Sequence, residues 1–165
     1  MATLDPSQSS VLPSAANELV ITRVLHAPRG LVWQAMTDPK HVAHWWGPIG
    51  FSTFTEAHDF RVGGVWQHVM IGPDGARYPN KSVFTIIREY EQVSYTHGGA
   101  KEGEPGVSFE ATWLFEAIDA RTIRLTLRSV FPTAAYRDCV VKQYGALEGG
   151  KQTLARLDEF LGTLQ

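Results

Sequence analysis

Histidine and tyrosine side chains give this sequence its candidates for proton transfer. The four that we single out are His58, His68, Tyr95 and Tyr144. Histidine titrates near neutral pH, and tyrosine donates a hydrogen bond at that pH without titrating. In an apolar pocket either could act as a general acid or base. For His68 the alternative is a hydrogen-bonded polar group within the core.

Metal and thiol chemistry have weaker support. His41 and His44 lie three residues apart on a predicted helix, which could place both imidazoles on one face. A zinc site needs a third ligand, for which His58 or Asp59 are candidates whose spacing fixes no geometry. We therefore predict neither a metal nor another cofactor. Cys139 is the single cysteine, which excludes an intrachain disulfide framework, and we expect it to be a buried or half-buried packing residue.

The composition indicates one folded domain. The chain has 165 residues, of which 44% are hydrophobic and 19% charged, with a net charge of -2. Such a balance gives no basic field for nucleic acid. No apolar run is long enough to span a membrane, and no signal peptide is evident, so the cytoplasm is the expected location. We read residues 1–17 as a disordered leader and residues 18–165 as a single domain.

The elements that would position these groups follow from periodicity and turn signals. A strand at 18–26 precedes two short helices, the first opened by Pro28 and the second, after Asp38, reaching His44. A polar loop at 98–106 divides the later strands. Predicted strands cover 51–60, 65–71, 81–90, 93–97, 107–116 and 123–128. The last two alternate apolar and polar residues most clearly, which indicates a sheet with one buried face.

A helical segment from Thr133 to Leu164 ends the chain. Apolar residues recur there at spacings of three and four, and Gly145 together with the pair Gly149-Gly150 interrupts them. We expect a break near Gly145 and a long helix after it. Because a one-faced sheet must be covered, the sequence predicts an α+β fold in which a curved antiparallel sheet of six to seven strands wraps around this helix.

A sheet bent around a helix favours an apolar pocket between them. On the strand at 65–71, His68 shares one face with Trp66 and Met70, and either face would bury a polar group. Trp45 and Trp46 are adjacent and cannot both point inward, so one could cover the pocket mouth. The candidate pocket residues are Trp45, Trp46, Phe54, His58, Trp66, His68, Met70, Tyr95, Phe109, Trp113, Val140, Tyr144 and Leu147.

Four segments resemble a known family. They are ELVITRVLHAPRGLVWQAMTDP (18–39), HVAHWWGPIGF (41–51), FRVGGVWQHVMIGPDG (60–75) and QYGALEGGKQTLARLDEFL (143–161). Together they resemble the START/SRPBCC helix-grip superfamily, in the branch similar to the C-terminal domain of the activator of heat-shock protein 90 ATPase. The final motif of that family often carries His where this chain has Tyr144. The resemblance implies a pocket more firmly than a chemistry.

Three functions are consistent with these observations. The first is binding of a small apolar or amphipathic molecule in an internal cavity. The second is an enzyme of the cyclase or dehydratase type that uses a pocket His or Tyr. The third is a chaperone-accessory interaction module, which would expose an apolar patch. A homodimer is also compatible with the sequence, because exposed sheet edges can pair.

Overall fold

In the part of the chain that the structure describes, eight antiparallel strands form one curved sheet that packs against the C-terminal helix. The structure is a computed structural model and describes residues 9–99, 102–103 and 106–165. The strands are β1 (Ser10–Val11), β2 (Glu18–Leu25), β3 (Ser52–His58), β4 (Val65–Ile71), β5 (Arg77–Arg88), β6 (Gln92–Gly99), β7 (Val107–Asp119) and β8 (Thr122–Val130). The helices are α1 (Arg29–Thr37), α2 (Pro39–Val42), α3 (Ala134–Tyr144) and α4 (Ala146–Thr163). The strand order is β1-β2-β8-β7-β6-β5-β4-β3.

The concave face of the sheet carries the apolar residues of the alternating strands. Tyr95 of β6 is opposite Ala111 of β7, which is opposite Ser129 of β8. One step along, Trp113 is opposite Leu127. Because side chains alternate between faces, these residues point toward α4 while Thr96 and Leu114 point outward. The inward rows therefore form the wall that any molecule between sheet and helix would touch.

The long helix α4 covers this face. Its residues Leu154, Leu157 and Leu161 are fully buried. At Gly150 the helix comes so close to β2 that an added Cβ would lie 2.5 Å from Cδ1 of Ile21. The glycine therefore permits the close approach of helix and strand.

The predicted break at the start of this helix is confirmed at Gly145. This residue has φ 59° and ψ 38°, the left-handed conformation that glycine adopts without steric cost. It ends α3 and at the same time precedes the first turn of α4. The two helices consequently leave Gly145 in different directions, and α3 lies over the sheet near β2.

The two short helices are fixed by hydrogen bonds that explain their limits. The Asp38 side chain accepts a hydrogen bond from the Lys40 backbone N–H, which caps the start of α2. Beyond α2, the Trp45 indole N–H donates to the Ala35 carbonyl at 3.0 Å. Trp45 is therefore locked in the core, while the next residue is free to point elsewhere.

The α+β helix-grip prediction is confirmed, with more strands than expected. The short strand β1, which pairs with β2, lies within residues 1–17, the stretch predicted to be a disordered leader. Residues 1–8 of that stretch lie outside the described residues. Strand β5 begins at Arg77 rather than at residue 81. The loop predicted at 98–106 overlaps the end of β6, and its residues 100, 101, 104 and 105 are outside the described part.

Two further results concern the surface. Cys139 is exposed on α3, so the prediction of a packing residue is wrong. The apolar face of α3 passes through Val140, and Cys139 lies one residue away from it. Within the described ranges, no helix has the length and apolar character required to cross a membrane.

Candidate functional site

A cavity of about 430 Å³ lies between the concave face of the sheet and the two C-terminal helices. The loop after α2 closes one side of it through Trp46, Gly47 and Pro48. Strands β4 to β8 supply the opposite wall, and Gly149 and Gly150 of α4 line the helix side. Both glycines mark close packing, since an added Cβ would lie 3.2 Å from Cγ of Pro48 at Gly149 and 2.5 Å from Cδ1 of Ile21 at Gly150.

Aromatic rings make up much of the wall. Trp46 contacts Trp113 with ring centroids 5.6 Å apart, and Tyr95 packs edge-on against Trp113 at 5.4 Å. Phe109 continues the wall along β7 and contacts Phe131 at 5.1 Å. Such rings offer flat apolar surface with preferred edge and face contacts. The cavity is thus suited to a ligand with a planar apolar body.

His68 is the most unusual polar group in the wall. It is only 1% exposed, and neither ring nitrogen has a hydrogen-bond partner among the described residues. Its ring stacks on Trp66 with centroids 3.9 Å apart and planes 19° from parallel. Burial, with a smaller contribution from His97, lowers the pKa of His68 to about 3. The imidazole is therefore neutral at pH 7, with one donor and one acceptor nitrogen.

A second histidine and an asparagine lie beside it. Asn80 is the direct cross-strand partner of His68, and its amide N–H donates to the Tyr78 carbonyl at 2.7 Å. His97, on the next strand, stacks on Phe109 with centroids 4.6 Å apart. Burial lowers the pKa of His97 to about 4, so this imidazole is also uncharged at pH 7. Its Nδ1 lies 3.5 Å from the Ser82 hydroxyl.

Tyr95 adds a buried phenol to the wall. Burial raises the pKa of its hydroxyl well above the usual value of 10, and a hydrogen bond with Trp113 opposes this only in part. The phenol therefore stays protonated throughout the neutral range. In the same wall, Tyr144 comes from the end of α3.

The rim of the cavity is held by one arginine of α4. The Arg156 guanidinium donates to the carbonyls of Gly47, Pro48 and Phe51 at 2.9, 3.1 and 3.2 Å, and to that of His44 at 3.4 Å. Charged donors on carbonyl oxygens make stronger hydrogen bonds than neutral ones. Arg156 thus fixes the loop that carries Trp46 to the helix.

Charged side chains contribute little to the wall. Among the described residues that line the cavity, Arg128 is the one with a permanent charge. Its guanidinium makes two hydrogen bonds to the Glu18 carboxylate, at 2.8 and 3.1 Å, and these lower the pKa of Glu18. The positive charge is consequently already paired with a carboxylate of the protein.

The structure brings eight of the thirteen predicted pocket residues into the cavity wall, and the other five lie elsewhere. The eight are Trp46, His68, Met70, Tyr95, Phe109, Trp113, Val140 and Tyr144.

Of the other five, Trp45 is fully buried in the core and Phe54 is 63% exposed on β3. His58 and Trp66 border a separate space of about 10 Å³. Leu147 is half-buried and packs against the core.

Several polar residues of the wall were not among the predicted ones, namely Tyr78, Asn80, His97, Arg128, Ser129, Gln143 and Thr153. His97 could have been found, because it lies two positions after Tyr95 on one strand and therefore on the same face. Asn80 was missed because the strand was predicted to start one residue later. The structure also shows which face of β4 is buried, since His68 points inward and Gln67 is exposed.

The histidines considered for a metal lie away from the cavity. His44 stacks on Phe160 of α4 with centroids 5.2 Å apart, and His41 contacts the same ring at 5.6 Å. In the part of the chain that the structure describes, no group of three or more His, Cys, Asp or Glu side chains could hold a metal ion.

Comparison with known proteins gives a consistent fold. Residues 26–162 match the family described as Activator of Hsp90 ATPase homolog 1-like protein. No curated protein matches the chain in sequence. The crystal structure of protein Ms6760 from Mycobacterium smegmatis is 27% identical, with a TM-score of 0.83 over 94% of this chain and 98% of that one.

Two further solved structures have the same fold as this chain. A protein from Arthrobacter aurescens, solved by NMR, is 28% identical with a TM-score of 0.84, covering 93% of this chain and 91% of its own. An AHSA1 protein from Silicibacter pomeroyi is 20% identical with a TM-score of 0.73, covering 90% of this chain and 99% of its own. All of them share the SRPBCC helix-grip fold.

Proposed function

The chain belongs to the Activator of Hsp90 ATPase homolog 1-like family, and from this premise we propose that it binds an apolar or amphipathic small molecule in the cavity between sheet and helix. The observation that carries the proposal is the cavity itself. Protein interiors are packed as densely as organic crystals and leave few voids larger than a water molecule. A space of about 430 Å³ falls within the range typical of ligand pockets.

The composition of the wall supports a ligand more than a structural void. Trp46, Phe109 and Trp113 offer aromatic surface, and four polar groups lie on the neighbouring strands β4 to β6, namely His68, Asn80, Tyr95 and His97. Ligand sites commonly combine apolar walls with a few placed polar groups that fix orientation. Filling the space would remove apolar surface from water and stabilise the folded protein.

The test uses one variant that fills the cavity and one that does not. Ser129→Phe adds a ring on the concave face, where Ser129 lines the cavity. Thr96→Phe adds the same ring to the outer face of β6, between two cavity residues. Both proteins are titrated with N-phenyl-1-naphthylamine by isothermal titration calorimetry, and their unfolding is followed with and without it.

We expect the wild-type protein and Thr96→Phe to bind with a negative heat-capacity change, the sign of apolar burial. Ligand at 100 times Kd should stabilise both by about 2.7 kcal/mol. Ser129→Phe should bind at least tenfold more weakly, because its ring occupies the space. Equal affinity in the two variants would show that the probe binds elsewhere and would count against the proposal. The proposal would also be contradicted if no compound in a panel of apolar and amphipathic metabolites raised the melting temperature of the wild-type protein.

A further inference from the structure

We propose that the ligand of this cavity is an uncharged ring compound whose hydroxyl or carbonyl group hydrogen bonds to His68. This inference rests on the proposed function and adds to it the chemical class of the ligand. Its basis is the combination of a buried imidazole without a partner, aromatic walls and the lack of an available charge.

The state of His68 provides the first argument. Buried polar groups in proteins are nearly always hydrogen-bonded, and an unpaired one is costly. Both ring nitrogens of His68 lack a hydrogen-bond partner among the described residues, although the residue is only 1% exposed. The same residue lines the cavity. A polar atom of the ligand placed beside it would supply the missing partner.

The charges of the wall provide the second argument. Of the cavity residues within the described ranges, only Arg128 is permanently charged, and Glu18 holds it through two hydrogen bonds. A carboxylate or ammonium group near His68 would lose its water without gaining a counter-charge, which is strongly unfavourable. A hydroxyl or carbonyl loses less, and the neutral imidazole can bond to either through its donor or its acceptor nitrogen.

The third argument concerns the side chains around His68, which include a flexible one. The ring is bordered by Trp46, edge-on with centroids 6.3 Å apart, and by the stacked Trp66. Met70 lies two residues along on the same face of β4 and also lines the cavity. Methionine is unbranched and changes its shape readily. A change of the Met70 rotamer would therefore alter the shape of the cavity near His68 without a shift of the sheet.

Three probes that share one ring system distinguish an apolar, a hydroxyl-bearing and a negatively charged ligand. Naphthalene has the apolar body alone, 2-naphthol adds a hydroxyl, and 2-naphthoate adds a negative charge. For the wild-type protein we expect 2-naphthol to bind roughly 3- to 10-fold more tightly than naphthalene, the gain of one hydrogen bond. We expect 2-naphthoate to bind at least about tenfold more weakly than 2-naphthol, since its charge is desolvated.

Variants then assign the preference to His68. His68→Phe keeps a ring that can stack on Trp66 and should bind naphthalene and 2-naphthol with equal affinity, without loss of naphthalene affinity. His68→Leu is smaller and gives the same comparison if the larger ring disturbs folding. His58→Phe replaces a histidine outside this cavity and should keep the wild-type preference.

The outcomes distinguish the two proposals. If the three probes fail to bind the wild-type protein while N-phenyl-1-naphthylamine or a compound of the metabolite panel binds, this inference fails and the proposed function stands. If none of these molecules binds, both fail. If naphthalene binds but 2-naphthol gains nothing, or 2-naphthoate binds as well as 2-naphthol, the ligand class is wrong while the binding function stands. Retention of the 2-naphthol preference in both His68 variants would likewise overturn the role of His68.

Discussion

Acidification should destabilise this protein well above the pH at which its carboxylates protonate. His68 and His97 have pKa values lowered by burial to about 3 and about 4, from an ordinary value of 6.5. As the pH falls below 6.5, the unfolded chain binds protons at both positions while the folded chain does not. Their contribution to stability is therefore complete above pH 6.5 and is lost progressively toward pH 3. Burial lowers the pKa of His58 as well, which acts in the same direction.

The size of the effect at pH 5 follows from the distance to the unfolded pKa. Each pH unit corresponds to about 1.4 kcal/mol per proton, so 1.5 units below 6.5 give about 2 kcal/mol per histidine. Both folded pKa values lie below 5, so at this pH each histidine contributes nearly that full amount. Together His68 and His97 should lower the free energy of unfolding by about 4 kcal/mol between pH 7.5 and pH 5.

Urea unfolding followed by far-ultraviolet circular dichroism at pH 7.5 and pH 5 measures this difference. The comparison is between the wild-type protein and the double variant His68→Phe/His97→Phe, which removes both titrating groups. The double variant should lose less than about 2 kcal/mol over the same interval, with the remainder due to other groups such as His58. The m-value should be unchanged, because the surface exposed on unfolding is similar.

The reasoning would be refuted if the double variant lost as much stability as the wild-type protein. That result would mean that the two imidazoles are protonated in the folded protein at pH 5. It would also contradict the inference that the histidines of the cavity wall are uncharged. Single variants would show whether the loss comes from one position or from both.

Two further predictions concern how α4 is held. Arg156→Ala should lower the free energy of unfolding by about 2 to 3 kcal/mol, because the carbonyls of the rim loop lose a charged donor. As a control, Arg61→Ala removes an exposed ion pair and should lower it by less than about 1 kcal/mol. Gly150→Ala should destabilise the protein by about 1 kcal/mol through contact with Ile21 Cδ1. In an Ile21→Val background the same change should stabilise instead, since alanine favours helix by about 1 kcal/mol. Urea unfolding measures both, and equal effects of Gly150→Ala in the two backgrounds would contradict the contact.

Much of the fold was predictable because its signals are local. The alternation in β7 and β8 identified two strands whose inward residues do face the helix. Gly145 marked the division between α3 and α4, since few other residues adopt a left-handed conformation at low cost. Strand β5 was predicted too short because Pro79 cannot donate a ladder hydrogen bond and is unusual inside a strand.

The cavity wall was predictable only in part because it depends on which face each strand presents. On β3 the small polar Thr53 points inward, where its hydroxyl donates to the Trp46 carbonyl at 2.9 Å, and the larger Phe54 is left outside. Hydrophobicity alone favours the opposite arrangement. A register shift between Thr55 and Ala57 further changes the orientation of this strand. Such choices are decided by long-range contacts that periodicity does not contain.

The ring contacts of Trp46 give the molecule an optical property. Its indole lies 5.4 Å from Trp45, 5.2 Å from Trp66 and 5.6 Å from Trp113, measured between ring centroids. At such separations we expect electronic excitation to migrate among the four indoles, so that their emission is coupled. A quenching molecule beside Trp46 would thus dim the emission of indoles that it never touches.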